Sequence, residues 1–202
     1  MENQSRFNTA VIVLAAGQSE RLGTPKQLLP VNGETLLSRI CRIALNFNGS
    51  GVLVVLGAYA SEVKEALVHL PVESVVNPDW KKGTGSSLSL GITQAILRWP
   101  EVDILTILLC DQPLVDSCIL NLLLQKHLEG KKPLIASDYG HTIGPPVLVH
   151  KSKFSLFTKF EGKEGAKKIL LENRSDLDLI SFPEGIIDID TPEDWQQYQA
   201  SV

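Results

Sequence analysis

Leu14-Ala15-Ala16-Gly17-Gln18-Ser19-Glu20-Arg21-Leu22-Gly23-Thr24-Pro25-Lys26 opens on the end of an apolar run, Val11 to Ala15, that reads as a first strand. Small residues let a backbone approach a ligand closely. Gly17 and Gly23 are expected to take positive φ and to turn N–H groups toward an anion. Arg21 and Lys26 add full positive charges. The segment therefore reads as a cradle for several phosphates. It is not GxxxxGK[ST], because Lys26 follows Gly23 by three positions and Gln27 comes next. It is not GxGxxG either, so the dinucleotide fingerprint fails.

Outward from this loop, short β-branched or leucine-rich runs alternate with helical patterns. Strands are expected at Val52 to Leu56, Val72 to Val76, Ile104 to Leu109, Leu134 to Ala136 and Val147 to Val149. Leu36, Leu37, Ile40, Ala44 and Phe47 share one helical face. Ser61 reads as a helix cap with Glu62 and Glu65 in the first turn. Ser86 to Arg98 reads as a helix. Asp116 reads as the cap of a helix carrying Leu120, Leu123, Leu124 and His127. Thr191 caps a last helix, with Pro192 at its first position. Such alternation implies parallel β/α units with right-handed crossovers. Ligands of such sheets bind beyond the carboxyl ends of the strands.

The 202 residues are expected to form a single domain, 1–202, long enough for a sizeable core at 44% hydrophobic content. A net charge of −4, with a pI near 5.6, argues against a nucleic-acid partner. Cys41, Cys110 and Cys118 show no CxxC spacing and read as reduced cytoplasmic thiols. Cys110 reads as core. Met1 to Phe7 lack a signal-peptide pattern, and no apolar run approaches the roughly 18 residues that span a bilayer. The four histidines have no ligand spacing.

Asp111 follows the fully apolar run Ile104 to Leu109. An ionised carboxylate there is costly without a partner, and Mg²⁺ is a natural one. Of Asp188 and Asp190, Asp190 is expected to face the site and Asp188 to form a surface salt bridge. Asn77-Pro78-Asp79-Trp80 precedes the Gly/Ser-rich run Gly83 to Ser87 and suits a base or ribose. Ser86 and Ser87 read equally as helix caps, and Trp80 equally as a packing residue.

On these residues the chain resembles the MobA-like nucleotidyltransferases. Their opening pattern, LAAGxSxRxGxPKxLL, is matched by Leu14 to Gly17, Ser19, Arg21, Gly23, Pro25-Lys26 and Leu28-Leu29. Asn77 to Trp80, Gly83, Ser86 to Leu88, Asp111-Gln112-Pro113 and Asp188 to Asp194 are similar to the MocA-like branch, the molybdenum cofactor cytidylyltransferases. The resemblance runs from Val11 to about Tyr198. It implies an α/β, Rossmann-like three-layer sandwich with a mostly parallel central sheet. It implies CTP as nucleotide, Mg²⁺ as cofactor, and transfer of CMP to molybdopterin or the molybdenum cofactor. A molybdoenzyme or its chaperone is the expected protein partner. Lys26, Arg21 and Asp111 are then the catalytic set. Leu14, Ala15, Ala16, Gly17, Gly23, Lys26, Asn77, Gly85 and Ser86 hold the nucleotide. Asp111 and Asp190 hold the metal. Same-fold rivals are GMP transfer and sugar-phosphate enzymes, and some MocA-like sequences carry oxidoreductase names.

Two departures fall in the C-terminal half. Gly144-Pro145-Pro146 stands where the family often has GHP. Gly162-Lys163-Glu164-Gly165-Ala166 stands where it has GDxGA, with Lys163 in the place of the acid. Gly144, Pro146 and Lys163 are the expected acceptor residues. The alternative for Lys163 is a solvated loop in which Glu161 and Glu164 cancel its field. Lys163→Ala is expected to raise the acceptor's apparent KM and leave CTP affinity unchanged. The effect should shrink as salt screens charges over roughly 8–10 Å. Equal acceptor kinetics at low salt would reduce the loop to solvated charge.

Overall fold

The computed structural model describes residues 7–47, 49, 51–159 and 165–201. In chain order the elements are β1 (Thr9–Ala15), β2 (Pro30–Val31), β3 (Glu34–Thr35), α1 (Leu36–Leu45), β4 (Gly51–Leu56), α2 (Ala60–Glu65), β5 (Glu73–Val76) and α3 (Thr84–Arg98). They continue with β6 (Ile104–Leu109), α4 (Ser117–Gly130), β7 (Leu134–Asp138), β8 (Ile143–His150), α5 (Phe154–Thr158), α6 (Ala166–Glu172), β9 (Leu177–Ser181) and α7 (Pro192–Ser201). Seven strands form one sheet in the order β5-β4-β1-β6-β8-β7-β9. Every neighbouring pair is parallel except those of β8 with β6 and β7. This is the expected Rossmann-like, mostly parallel sheet with helices on both faces.

All seven residues of β1 are buried. Ala10, Ile12 and Leu14 turn toward the layer of α3, α5 and α6, where Leu88, Ile92, Phe157 and Leu170 pack. Val11, Val13 and Ala15 turn toward α1, α2 and α4, where Leu37, Ile40, Val63 and Leu120 pack. The period of two thus serves two cores, which is why the strand reads as unbroken apolar sequence. The chain runs from β1 outward to β4 and β5, then returns to β6 on the other side of β1. That reversal leaves a crevice beyond the carboxyl ends of β1 and β6.

Some local expectations need correction. Ser61 lies inside α2, whose N-cap is Tyr59 at φ 57. The helix expected from Ser86 starts at Thr84 with Gly83 as N-cap, so neither Ser86 nor Ser87 caps it. Asp116 does cap α4, accepting from the Ile119 N–H at 3.0 Å. Thr191 Oγ1 accepts from the Asp194 N–H at 3.2 Å while Asp194 Oδ2 accepts from the Thr191 N–H at 2.8 Å, a reciprocal capping box. Val31, Leu36, Ile189 and Tyr198 form a small separate cluster that fastens α7 to the β2–β3 hairpin. No helix among the described residues is long and apolar enough to cross a membrane.

α3 meets the sheet at Gly91. A Cβ there would lie 2.9 Å from Ile12 Cγ2 and 3.0 Å from Val55 Cγ2. Gly91→Ala would gain up to about 1 kcal/mol in helix propensity. Ile12 and Val55 are fully buried and β-branched, so they cannot yield. Overpacking of about 1–3 kcal/mol should win. A lower denaturant midpoint is the expected result; an unchanged or higher one would show that α3 has room to lift.

Candidate functional site

The loop after β1 is held by its own side chains. Ser19, not Gly17, takes the left-handed conformation (φ 56), together with Gly23 (φ 75). Ser19 O accepts from the N–H groups of Leu22 and Gly23, each at 3.1 Å. Ser19 Oγ accepts from the Lys26 N–H at 3.1 Å. Gln27 is fully buried, and its Nε2 donates to Ala15 O and Gly17 O, each at 2.9 Å. Gln27 therefore ties the loop to the end of β1. Sequence reasoning passed over it, although a polar residue between Lys26 and the apolar Leu28-Leu29 was the available signal.

Lys26 reaches across the crevice. Its Nζ donates to Asp111 Oδ2 at 2.5 Å and to Asp190 Oδ1 at 2.7 Å. Arg21 also pairs with Asp190, from a side chain that is 68% exposed against 10% for Lys26. Burial alone pulls the Lys26 pKa down. The Asp111 carboxylate, with hydrogen bonds from Lys26 to Asp111 and Asp190, outweighs burial and holds it above the ordinary lysine value. Lys26 is therefore a fixed cation. Asp111 Oδ1 is buried and has no hydrogen-bond partner. Cys110 behind it is buried, as expected, and burial pushes its thiol pKa up.

Asp188 departs from expectation. It makes no ion pair among the described residues and lines the same groove as Asp111 and Asp190. Residues two apart in extended chain share a face. Here Ile189 is the one that turns inward, at 0% exposure, and its N–H donates to Asp111 O at 3.0 Å. Burial, then Asp111 and Asp190, raise the Asp188 pKa.

The groove holds about 460 Å³. Leu14, Ala16, Gly17 and Lys26 line one side, and Trp80, Gly83, Thr84 and Ser87 the other. No side chain caps α3, so the positive end of its dipole is open toward the groove. Asn77 is not in the lining. It is 3% exposed and braces the turn, donating from Nδ2 to Ser86 Oγ (3.0 Å) and Ser87 Oγ (2.9 Å). Ser86 in turn donates to backbone carbonyls of Asp79 and Gly83. Gly85 is buried in the first turn of α3. Trp80 both lines the groove and packs, its Cβ sitting where a side chain at Gly57 would be.

A second pocket of about 320 Å³ shares Leu14, Thr84, Leu109 and Asp188 with the groove. Gly144 and Pro145 line it; Pro146 does not, and its carbonyl instead accepts from Ser137 Oγ at 3.0 Å. Gln112, Tyr139, Ile186 and Lys167 are further lining residues that sequence reasoning missed. Lys163 lies outside the described residues.

Residues 11–177 match the model of the MobA-like NTP transferase domain. Nicotine blue oxidoreductase of Paenarthrobacter nicotinovorans is 34% identical over 138 residues, 68% of this chain and 65% of that protein. The chain thus spans slightly less than two thirds of that relative. Purine catabolism protein PucB of Bacillus subtilis is 28% identical over 201 residues, 95% of this chain and 96% of its own. The crystal structure of Rv0371c from Mycobacterium tuberculosis superimposes with a TM-score of 0.82 at 26% identity, covering 96% of this chain and 98% of that one. With its mostly parallel sheet, its Ser19–Lys26 loop and its crevice beyond β1 and β6, the chain belongs to the MobA-like NTP transferase family.

Proposed function

We propose that the chain moves CMP from CTP to a phosphorylated acceptor, molybdopterin or the molybdenum cofactor, in the cytoplasm and with release of pyrophosphate. The observation that carries this reading is the cluster of Lys26, Asp111 and Asp190 in the groove, which shares Asp188 and Leu14 with the second pocket. The groove takes the triphosphate. Loop N–H groups, Arg21, Lys26 and the open end of α3 balance its charge. The second pocket takes the acceptor.

A divalent cation such as Mg²⁺ fits the carboxylates. Asp111 Oδ1 is unpartnered, and Asp111 and Asp190 converge on one ammonium. Those two residues would hold the ion, which when bound supplies charge neutralisation on the phosphates. Rv0371c has been crystallised as a complex with manganese. Lys26 then exchanges its carboxylate partners for phosphate oxygens.

An acceptor phosphate monoester is mostly dianionic near neutral pH, its second pKa being about 6. It needs no general base. Its oxygen bonds to the α-phosphorus as the α–β bridging bond breaks, and the electron pair leaves with pyrophosphate. The work of the protein is alignment and charge balance. A second reading, an oxidoreductase, is favoured by the nicotine blue relative alone. NADPH binding by the purified chain would support it.

A calorimetric screen of CTP, GTP, ATP and UTP with Mg²⁺, followed by pyrophosphate release with each candidate acceptor, tests the main reading. CTP is expected to bind tightest; a clear preference for another base would reassign the nucleotide. Lys26→Ala should weaken triphosphate binding by about 1.5–3 kcal/mol, the scale of a charge-assisted hydrogen bond. An unchanged dissociation constant would remove Lys26 from the phosphate site. Asp111→Asn should still fold, since Lys26 keeps Asp190 as a partner. Its metal-dependent turnover should drop roughly 100-fold or more, the scale of losing one preorganised charge contact. Wild-type turnover at low Mg²⁺ would show that Asp111 is not a ligand.

A further inference from the structure

A cavity of about 630 Å³ opens at the opposite end of the sheet from the groove. His150, in its lining, pairs with Ile104 at the start of β6, whereas Asp111 follows the end of that strand. At about 3.3 Å per residue, the strand puts roughly 20 Å between the two sites.

Three of the lining side chains are rings that fix one another. His127, in the last turn of α4, stacks on His150 at 5.5 Å between centroids and 25° between planes. Phe7 meets both edge-on, at 5.5 Å and 6.3 Å. His127 is only 6% exposed, yet one ring nitrogen is unused. Its Nδ1 lies 2.7 Å from Lys132 O, which can only accept, so Nδ1 carries the proton. Nε2 keeps a lone pair, has no partner among the described residues and stays accessible in the cavity wall. His150 has the opposite polarity. Its Nδ1 accepts from the Ser152 N–H at 3.4 Å, so in the neutral ring Nε2 carries the proton and is free to donate. Burial, then His127 and Lys151, hold the His150 pKa below the ordinary imidazole value, so the ring is neutral at pH 7.5.

The charge of the cavity has one sign. Its described lining holds no carboxylate. Its one full charge is Lys131, which makes no ion pair among the described residues. Asp103, the acid that His150 senses, is taken up by Lys151 and the Asn8 N–H. Lys131 ends α4 at φ 56, a conformation that suits glycine better. Leu128, 43% exposed, joins Phe7 and Pro133 as apolar wall. An ammonium beside the imidazoles repels a metal cation, and an inorganic anion would leave the apolar walls in water. An organic anion answers both. Its charge meets Lys131 and the His150 Nε2–H, and its flat body covers the apolar wall. Beside an anion, His127 Nε2 also takes up a proton more readily.

We infer that this cavity is a binding site, separate from the groove, for a small organic anion with a flat apolar body, whose charged head is held by Lys131 and His150.

The test follows the ring C–H signals of His127 and His150 by NMR in the whole chain at pH 7.5. Benzoate is the probe. Benzyl alcohol supplies the ring without the charge, and inorganic phosphate the charge without the ring. Benzoate should shift both signals saturably, with a Kd in the millimolar range expected of so small a ligand. Each comparison compound should bind about tenfold or more weakly. Phenyl phosphate tells the two kinds of head apart, and saturable binding of either aromatic anion supports the inference. Lys131→Gly removes the charge and suits the backbone, so it should fold at least as well as wild type. It should bind benzoate about tenfold more weakly and leave CTP affinity unchanged, since the groove is elsewhere. A lysine that only ends the helix would leave benzoate affinity as it was. That result, the absence of shifts at His127 and His150, or equal binding of benzyl alcohol or phosphate overturns the inference. So does a dependence of the two signals on protein concentration without probe, which would put a second copy of the chain in the cavity.

Discussion

One ammonium group joins three distant parts of the chain. Lys26 comes from the loop after β1, Asp111 from the end of β6, and Asp190 from the segment before α7. A carboxylate at the mouth of an apolar strand is costly to desolvate, and two neighbouring ones repel. Removing the cation would leave Asp111 without its ion-pair partner while Asp190 kept Arg21, and breaking such a partly buried pair typically costs several kcal/mol. The surrounding structure keeps the three groups in register. Ser19 and Gln27 hold the loop, and the Ile189 N–H bonds to Asp111 O. The α7 cluster and its capping box set where Asp190 stands. On the reading proposed above, the same ammonium would release the carboxylates to a cation and turn to phosphates.

Much of this is legible in the sequence. β1, β4 and β6 are buried on both faces, so they read as continuous apolar runs with clear ends. Asp111 was legible because a charge directly after such a run demands a reason. Asp116 and Thr191 were legible because capping is a local interaction. Other features were hidden because their partners are remote. Nothing near Gln27 or Gln112 in sequence announces that each pins backbone carbonyls, from up to 73 positions away in the case of Gln112. Tyr139 looks like any turn tyrosine until Gly144 and Gly185 are seen against its ring. β9 alternates partly exposed and buried residues at a sheet edge, and its LDLIS sequence carries little periodic signal. Strand direction has no local signature at all, so β8 reads like its parallel neighbours.

That reversed strand explains why the second pocket was the harder half to read. An antiparallel strand begins where its parallel neighbours finish. β8 therefore delivers its first residues, Ile143 to Pro145, to the carboxyl ends of β6 and β7, beside Gln112 and Tyr139. The pairing of β7 with β8 jumps from Ala136–Val147 to Ser137–Gly144. Pro145 and Pro146 occupy the jump, and proline has no N–H to give to a ladder. Ser137 instead bonds to Pro146 O through its hydroxyl, and Pro145 O is left for Gln112 and Tyr139. A strand that had stayed in register would have used that carbonyl in the sheet and had none to offer the pocket. The Gly144-Pro145-Pro146 turn is thus the feature that shapes the second pocket. The groove is made from loop backbone and fixed charges, which a short motif specifies. The second pocket is made from a bulge, two glycines and one aromatic ring, which only the folded chain brings together.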